Sequence, residues 1–186
     1  MSFVIAAVAL LGALCTVNLL LTFGVVRRLR EQNAELSRLS GALPPEMPAP
    51  EELVGTPVPA FAATSIDGTP VTRDSLVGRP RMVGFFAAGC APCHEQAPMF
   101  AAWLAEQDGD AIAAVAVVTG SGPEAAELAA SLSDAAAVVV EPDAFAVSHA
   151  FGVRGFPTFL RIDAGGVVAG ADATVHGVVA QAAATS

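Results

Sequence analysis

Apolar residues run from Phe3 to Val26 without a single charge, and Thr16, Asn18 and Thr22 are the clearly polar side chains within the run. At about 1.5 Å per residue a helix of this length crosses a hydrocarbon core of about 30 Å. The pattern therefore predicts a transmembrane anchor over residues 1–26. No basic residue precedes the run, no small-x-small site closes it, and Leu14 stands where a lipoprotein would have a small residue before Cys15. An uncleaved anchor is thus expected rather than a removed signal peptide. Residues 27–39 continue the helical pattern as a charged juxtamembrane stretch with Leu29 and Leu36 seven apart, too short for a coiled coil. Gly41, Pro44, Pro45, Pro48 and Pro50 then favour an extended spacer. The expected organisation is an anchor (1–26), a juxtamembrane helix and proline-rich linker (27–50), and a folded domain (51–186).

Within the domain, short apolar runs alternate with helical stretches. Phe61 to Ile66, the turn Asp67-Gly68, and Pro70 to Thr72 predict a hairpin. Arg81 to Ala87 predicts a buried strand, followed by a helix from about Ala91 to Glu106 that contains Pro98. Ile112 to Val118 predicts a second strand, and Pro123 to Leu132 a helix with proline at its start, where a missing N–H costs little. Ala137 to Val140 predicts a strand and Asp143 to Phe151 a helix capped by Asp143 and stopped by Gly152. Thr158 to Asp163, the turn Ala164-Gly165-Gly166, and Val167 to Ala169 predict a closing hairpin. This order implies an α/β sheet with helices on both faces.

Charge narrows the function classes. Beyond Arg38, five arginines stand against sixteen Asp and Glu, a net charge of −11. Such a surface repels nucleic acid and anionic headgroups, so nucleic-acid partners are not expected. Hydrophobic residues make up 54% of the chain and mean hydropathy is +0.60, which agrees with part of it residing in lipid.

Candidate chemistry lies at the junction of the strongest predicted strand and the longest predicted helix of the domain, in Cys90-Ala91-Pro92-Cys93. A cysteine at a helix start faces free backbone N–H groups and the positive end of the helix dipole, which stabilise a thiolate. Cys90 is so placed, and Cys93 follows one turn later, within reach of a mixed disulfide on Cys90. The expected roles are nucleophile for Cys90 and resolving thiol for Cys93, with Pro92 stiffening the turn. Three other readings use the same pair. A zinc site needs two more soft ligands, and the one remaining cysteine, Cys15, falls in the predicted span. A structural disulfide would close a loop too small to restrict the unfolded chain much. Cys90-Ala91-Pro92-Cys93-His94 also spells the c-type haem attachment motif, although that motif would here open a helix inside a βαβ pattern.

Several separated motifs resemble the membrane-anchored thioredoxin-like thiol–disulfide oxidoreductases of bacteria, of the TlpA, ResA and MauD kind. They are Gly55-Thr56-Pro57-Val58-Pro59-Ala60-Phe61, Asp67-Gly68, Leu76-Val77-Gly78-Arg79-Pro80, Phe85 to Cys93, Pro98, Phe151 to Thr158, and Ile162-Asp163-Ala164-Gly165-Gly166. The resemblance covers about Leu53 to Val179. It implies a thioredoxin-like fold with a central mixed sheet flanked by helices and an N-terminal β-hairpin extension, preceded by one transmembrane helix. It also implies that Pro157 is cis and packs beside the dithiol, with Phe156 offering backbone groups to an extended partner and Ala91 and Pro92 on the same surface. Without the resemblance, Gly155-Phe156-Pro157 reads as a turn before a strand. Two features depart from the family. Gly89 stands where many relatives carry tryptophan, and the strand Arg81 to Ala87 has no acidic residue to accept a proton.

The function expected from these residues is membrane-tethered disulfide reduction on protein thiol and disulfide substrates, with the Cys90–Cys93 couple in place of any cofactor or metal. An upstream membrane electron donor would supply reducing equivalents. Alternatives are a peroxiredoxin-like (AhpC/TSA-type) antioxidant peroxidase and a redox accessory factor for maturation of a cytochrome or amine dehydrogenase. The family relation places the domain outside the cell, whereas Arg27, Arg28 and Arg30 after the span place it inside by the positive-inside rule.

Overall fold

The chain divides into two units, Met1–Glu46 and Met47–Ser186. The computed structural model describes residue 12, residues 49–107 and residues 113–184. Apart from residue 12, the predicted membrane span and the juxtamembrane helix lie outside the described residues. Among the described residues no helix is long and apolar enough to cross a membrane.

The second unit is built on a five-stranded mixed sheet. Its strands are β3 (Arg81–Ala87), β4 (Ala113–Thr119), β5 (Ala137–Val139), β6 (Thr158–Ile162) and β7 (Val168–Asp172), in the order β5-β4-β3-β6-β7. β3 runs parallel to β4 and antiparallel to β6, while β6 and β7 form the predicted closing hairpin. A separate two-stranded sheet, β1 (Ala62–Thr64) with β2 (Pro70–Thr72), is the predicted N-terminal hairpin. Its turn is set by Asp67. The Ser65 hydroxyl, and after it the Thr69 amide, donate to the Asp67 carboxylate and hold it below the usual carboxylate range. The chain ahead of the hairpin is stitched to β7, where Val168 donates to Thr56 (2.9 Å) and receives a bond at its own carbonyl from Gly55 (2.8 Å).

β3 is central because both of its faces are apolar. Val83 and Phe85 join a core layer with Val115, Val117, Leu160, Val147 and the hairpin residues Ala63 and Val71. Met82 and Phe86 join the opposite layer with Phe100, Leu128, Phe159 and Val178. The alternation follows from the two-residue period of a strand. Helices α1 (Ala91–Ala105), α2 (Pro123–Leu132) and α4 (Val175–Ala184) supply the second layer, and α3 (Asp143–Ala150) the first. Phe86, Phe100 and Phe159 meet there with ring centroids 5.3–6.0 Å apart. Gly84 makes room for them, since a Cβ at that position would lie 2.8 Å from the Phe86 ring.

Two local expectations are corrected. Asp143 does not cap α3; it is the first helical residue, Pro142 precedes it, and its carboxylate accepts from the Thr64 amide at 2.9 Å. Glu141 serves the helix start instead, accepting from Phe145 N–H at 3.4 Å. Helix α4, not expected from the sequence, packs against β7 and α1. Its first amide, Val175 N–H, is satisfied by the Gln96 side chain from α1 at 3.1 Å.

Candidate active site

β3 ends at Ala87 and the chain turns through Ala88 and Gly89 into α1. Cys90 is the N-cap of that helix, and its sulfur accepts the Cys93 amide at 3.2 Å, filling the role that a serine or aspartate oxygen plays at other helix starts. Ala91 and Pro92 form the first helical positions, and both are exposed. Pro92 costs no intrahelical bond there. The two sulfurs are joined, with Cα atoms 5.2 Å apart. Their surroundings differ. Cys90 is partly exposed, whereas Cys93 is fully buried among the apolar side chains around Phe86 and Phe100 and takes the Ala87 amide at 3.5 Å.

Sheet topology delivers the second half of the site. β6 pairs antiparallel with β3, with Thr158 opposite Phe85, so the residues just before β6 lie beside the end of β3. Cys90 Sγ lies 3.6 Å from the Phe156 carbonyl oxygen, and the Phe156–Pro157 peptide is cis. Pro157 is buried, Phe156 partly so, and the Thr158 hydroxyl closes the turn by donating to Gly155 O at 2.9 Å. Residues 66 positions apart in sequence thus share one surface. His94 and Glu95 project into solvent from α1, and Trp103 packs partly buried against the core.

Gly89 has φ +73°, and a Cβ there would sit 3.4 Å from the Glu124 carboxylate. This backbone region disfavours any side chain, which accounts for glycine at the position where the resembled family often carries tryptophan. Gly89→Ala is expected to lower stability by about 1 kcal/mol, read as a shifted urea midpoint; an unchanged midpoint would rule out a left-handed backbone at residue 89.

A cleft of 340 Å³ opens on the α3 side of Phe156, with Phe145, Ser148, His149 and Arg154 among its walls. His149 stacks on Phe145, centroids 6.3 Å apart. Their spacing of four on one helix was the available signal. A larger groove of 520 Å³, lined by Ile66, Ala126, Ala130 and Val140 among others, includes neither cysteine.

A mixed sheet of this order, with a cysteine pair opening the helix after its central strand, defines a thioredoxin-like thiol–disulfide oxidoreductase. The solved thioredoxin domain of a thiol-disulfide oxidoreductase from Bacteroides vulgatus superimposes with a TM-score of 0.57 at 18% identity, covering 71% of this chain and 96% of that one. A thiol:disulfide interchange protein from Bacteroides sp. gives 0.55 at 18% identity, over 70% and 87% of the two chains. A thiol:disulfide interchange protein of the thioredoxin family from Chlorobium tepidum gives 0.50 at 25% identity, over 63% and 84%. The model of the AhpC/TSA family matches residues 54–171, and the chain belongs to that family. No curated protein matches it.

Proposed function

We propose that the protein is a membrane-tethered disulfide reductase acting on protein substrates at the outer face of the membrane, with Cys90 as nucleophile and Cys93 as resolving thiol. The observation that carries this reading is the unequal setting of the two sulfurs, one partly open at a helix N-cap beside the Phe156 carbonyl, the other buried behind it. In the reduced protein the Cys90 thiolate attacks one sulfur of a substrate disulfide, forming a Cys90–substrate bond and expelling the first substrate thiolate. Cys93, after giving up its proton, attacks Cys90 Sγ; the Cys90–Cys93 bond forms and the second substrate thiolate leaves. The substrate gains two electrons and binds two protons, and a membrane dithiol donor returns the couple to its reduced form. The backbone at Phe156, next to Pro157, pairs with the extended substrate segment, and Ala91 and Pro92 form the neighbouring contact surface. The apolar run from Phe3 to Val26 supports the tether, and labelling of Cys90 in intact cells by an impermeant thiol reagent tests the side of the membrane.

Replacing Cys93 with serine is expected to stall the cycle after its first half. The full-length variant incubated with a disulfide substrate then accumulates a covalent adduct on gels that disappears on reduction. Absence of any adduct would remove Cys93 from the resolving role.

Membership of the AhpC/TSA family favours a second reading, peroxide reduction. That chemistry uses a Thr or Ser three residues before the reactive cysteine, where this chain has Ala87. Peroxide consumption by the reduced protein, measured beside insulin reduction, separates the two readings.

A further inference from the structure

We propose that the cleft between α3 and Phe156 is a subsite for an acidic side chain flanking the reactive cysteine of the substrate, so that the protein prefers disulfides whose cysteine has Glu or Asp on one side. The proposal rests on the oxidoreductase reading given above and specifies its substrate class.

Three observations converge on the cleft. The first is position. Phe156 contributes both a wall of the cleft and the carbonyl 3.6 Å from Cys90 Sγ. A substrate strand advances about 3.3 Å per residue, so the residue reaching the cleft is within one or two of the attacked cysteine. The second is an unmade hydrogen bond. Ser148 lines the cleft and is 4% exposed, yet its Oγ has no hydrogen-bond partner among the described residues. A buried hydroxyl without a partner costs stability, and in the free protein this one is covered, so a ligand reaches it only as the side chains of the cleft wall part. A carboxylate oxygen completes it.

The third is charge. Beyond Arg38 the chain carries five arginines against sixteen carboxylates, and Arg81 and Arg161 lie at the end of the sheet remote from Cys90. Arg154 stands two residues before Phe156 on the rim of the cleft, exposed, with no hydrogen bond or ion pair among the described residues. His149, stacked on Phe145, shares that rim. The aromatic and aliphatic walls accept the methylene stem of a glutamate while the cationic rim and Ser148 receive its head. On the opposite flank of the dithiol turn stands Glu124, whose carboxylate approaches Gly89. Acid is favoured on the α3 flank and repelled on the other, so the preference depends on which side of the substrate cysteine the acid lies.

The test uses the full-length protein, reduced and freed of reductant, and short symmetrical peptide disulfides with Glu, Gln or Lys placed either before or after the cysteine. Oxidation of the protein is timed for each. For one of the two placements the order Glu, Gln, Lys is expected, with about a tenfold spread that shrinks in about 0.5 M salt. Arg154→Glu should invert that order. Ser148→Ala should reduce the Glu-to-Gln ratio while its urea midpoint stays equal or rises, because the hydroxyl it removes stabilises nothing in the free protein; a merely structural serine would lower the midpoint and leave the ratio alone. Equal rates for all three residues in both placements, or an order untouched by Arg154→Glu, would overturn the subsite. The small neutral 2-hydroxyethyl disulfide separates this failure from the broader one. If it oxidises the wild-type dithiol while the peptides are not ranked, only the subsite falls; if it fails to react, the oxidoreductase reading falls with it.

Discussion

Cys90→Ser is expected to reduce insulin-disulfide turnover by on the order of a thousandfold or more, since a serine hydroxyl is not ionised at neutral pH and forms no mixed disulfide. The substitution is nearly isosteric and serine is a favourable N-cap, so the helix start that holds the site should be kept. Its oxygen takes over acceptance from the Cys93 amide, now received by the sulfur at 3.2 Å. Loss of activity with a urea midpoint equal to that of the reduced wild-type protein therefore isolates chemistry from folding. A Cys90→Ser protein that still reduced insulin at the wild-type rate would contradict a nucleophilic Cys90 and shift attention to contaminating thiols or to Cys93.

Phe86→Ala should produce the largest loss of stability. Phe86 is fully buried, its ring packs against Phe100 at 6.0 Å and Phe159 at 5.5 Å, and Cys93 belongs to the same cluster. Truncation removes transfer free energy and leaves a cavity, together about 3–5 kcal/mol. A domain with total stability of about 5–15 kcal/mol loses a large share of it. Chemical denaturation of the full-length protein reads the change, and a loss under about 1 kcal/mol would mean the cavity collapses freely. Because Ala87, the next residue, offers its amide to Cys93 Sγ, the variant should also react faster with alkylating agents at Cys93 once reduced.

Much of this arrangement was legible along the chain, and particular residues show why. Arg81 to Ala87 reads as a buried strand because its residues are apolar on both faces, and β3 spans those residues. Pro123 marks the start of α2, and Asp67-Gly68 marks the hairpin turn. What escaped depends on partners distant in sequence. Asp143 has the composition of a cap, yet a strand amide 79 residues earlier claims its carboxylate. Helix α4 is rich in alanine and carries Gly177, so its apolar stripe is faint; its start is fixed by Asp172 and Thr174 locally and by Gln96 from another helix. The Cys90 and Cys93 pair stands out in sequence by spacing alone. Its nearness to Phe156 was expected from the family resemblance and from no local pattern, because it is a product of β3–β6 pairing. Ser148 looked like any polar residue of a short helix, and only the packing around it leaves its hydroxyl alone.

The 5.2 Å between the Cα atoms of Cys90 and Cys93 bears on how long a captured partner stays attached. A thiol held on the same helical turn competes with dissolved thiols as though present at very high local concentration. Residence of the partner is then governed by internal motions of one short segment. Fluctuations in the surrounding pool of small thiols leave that lifetime nearly untouched, so release keeps the same tempo in rich and in poor reducing conditions.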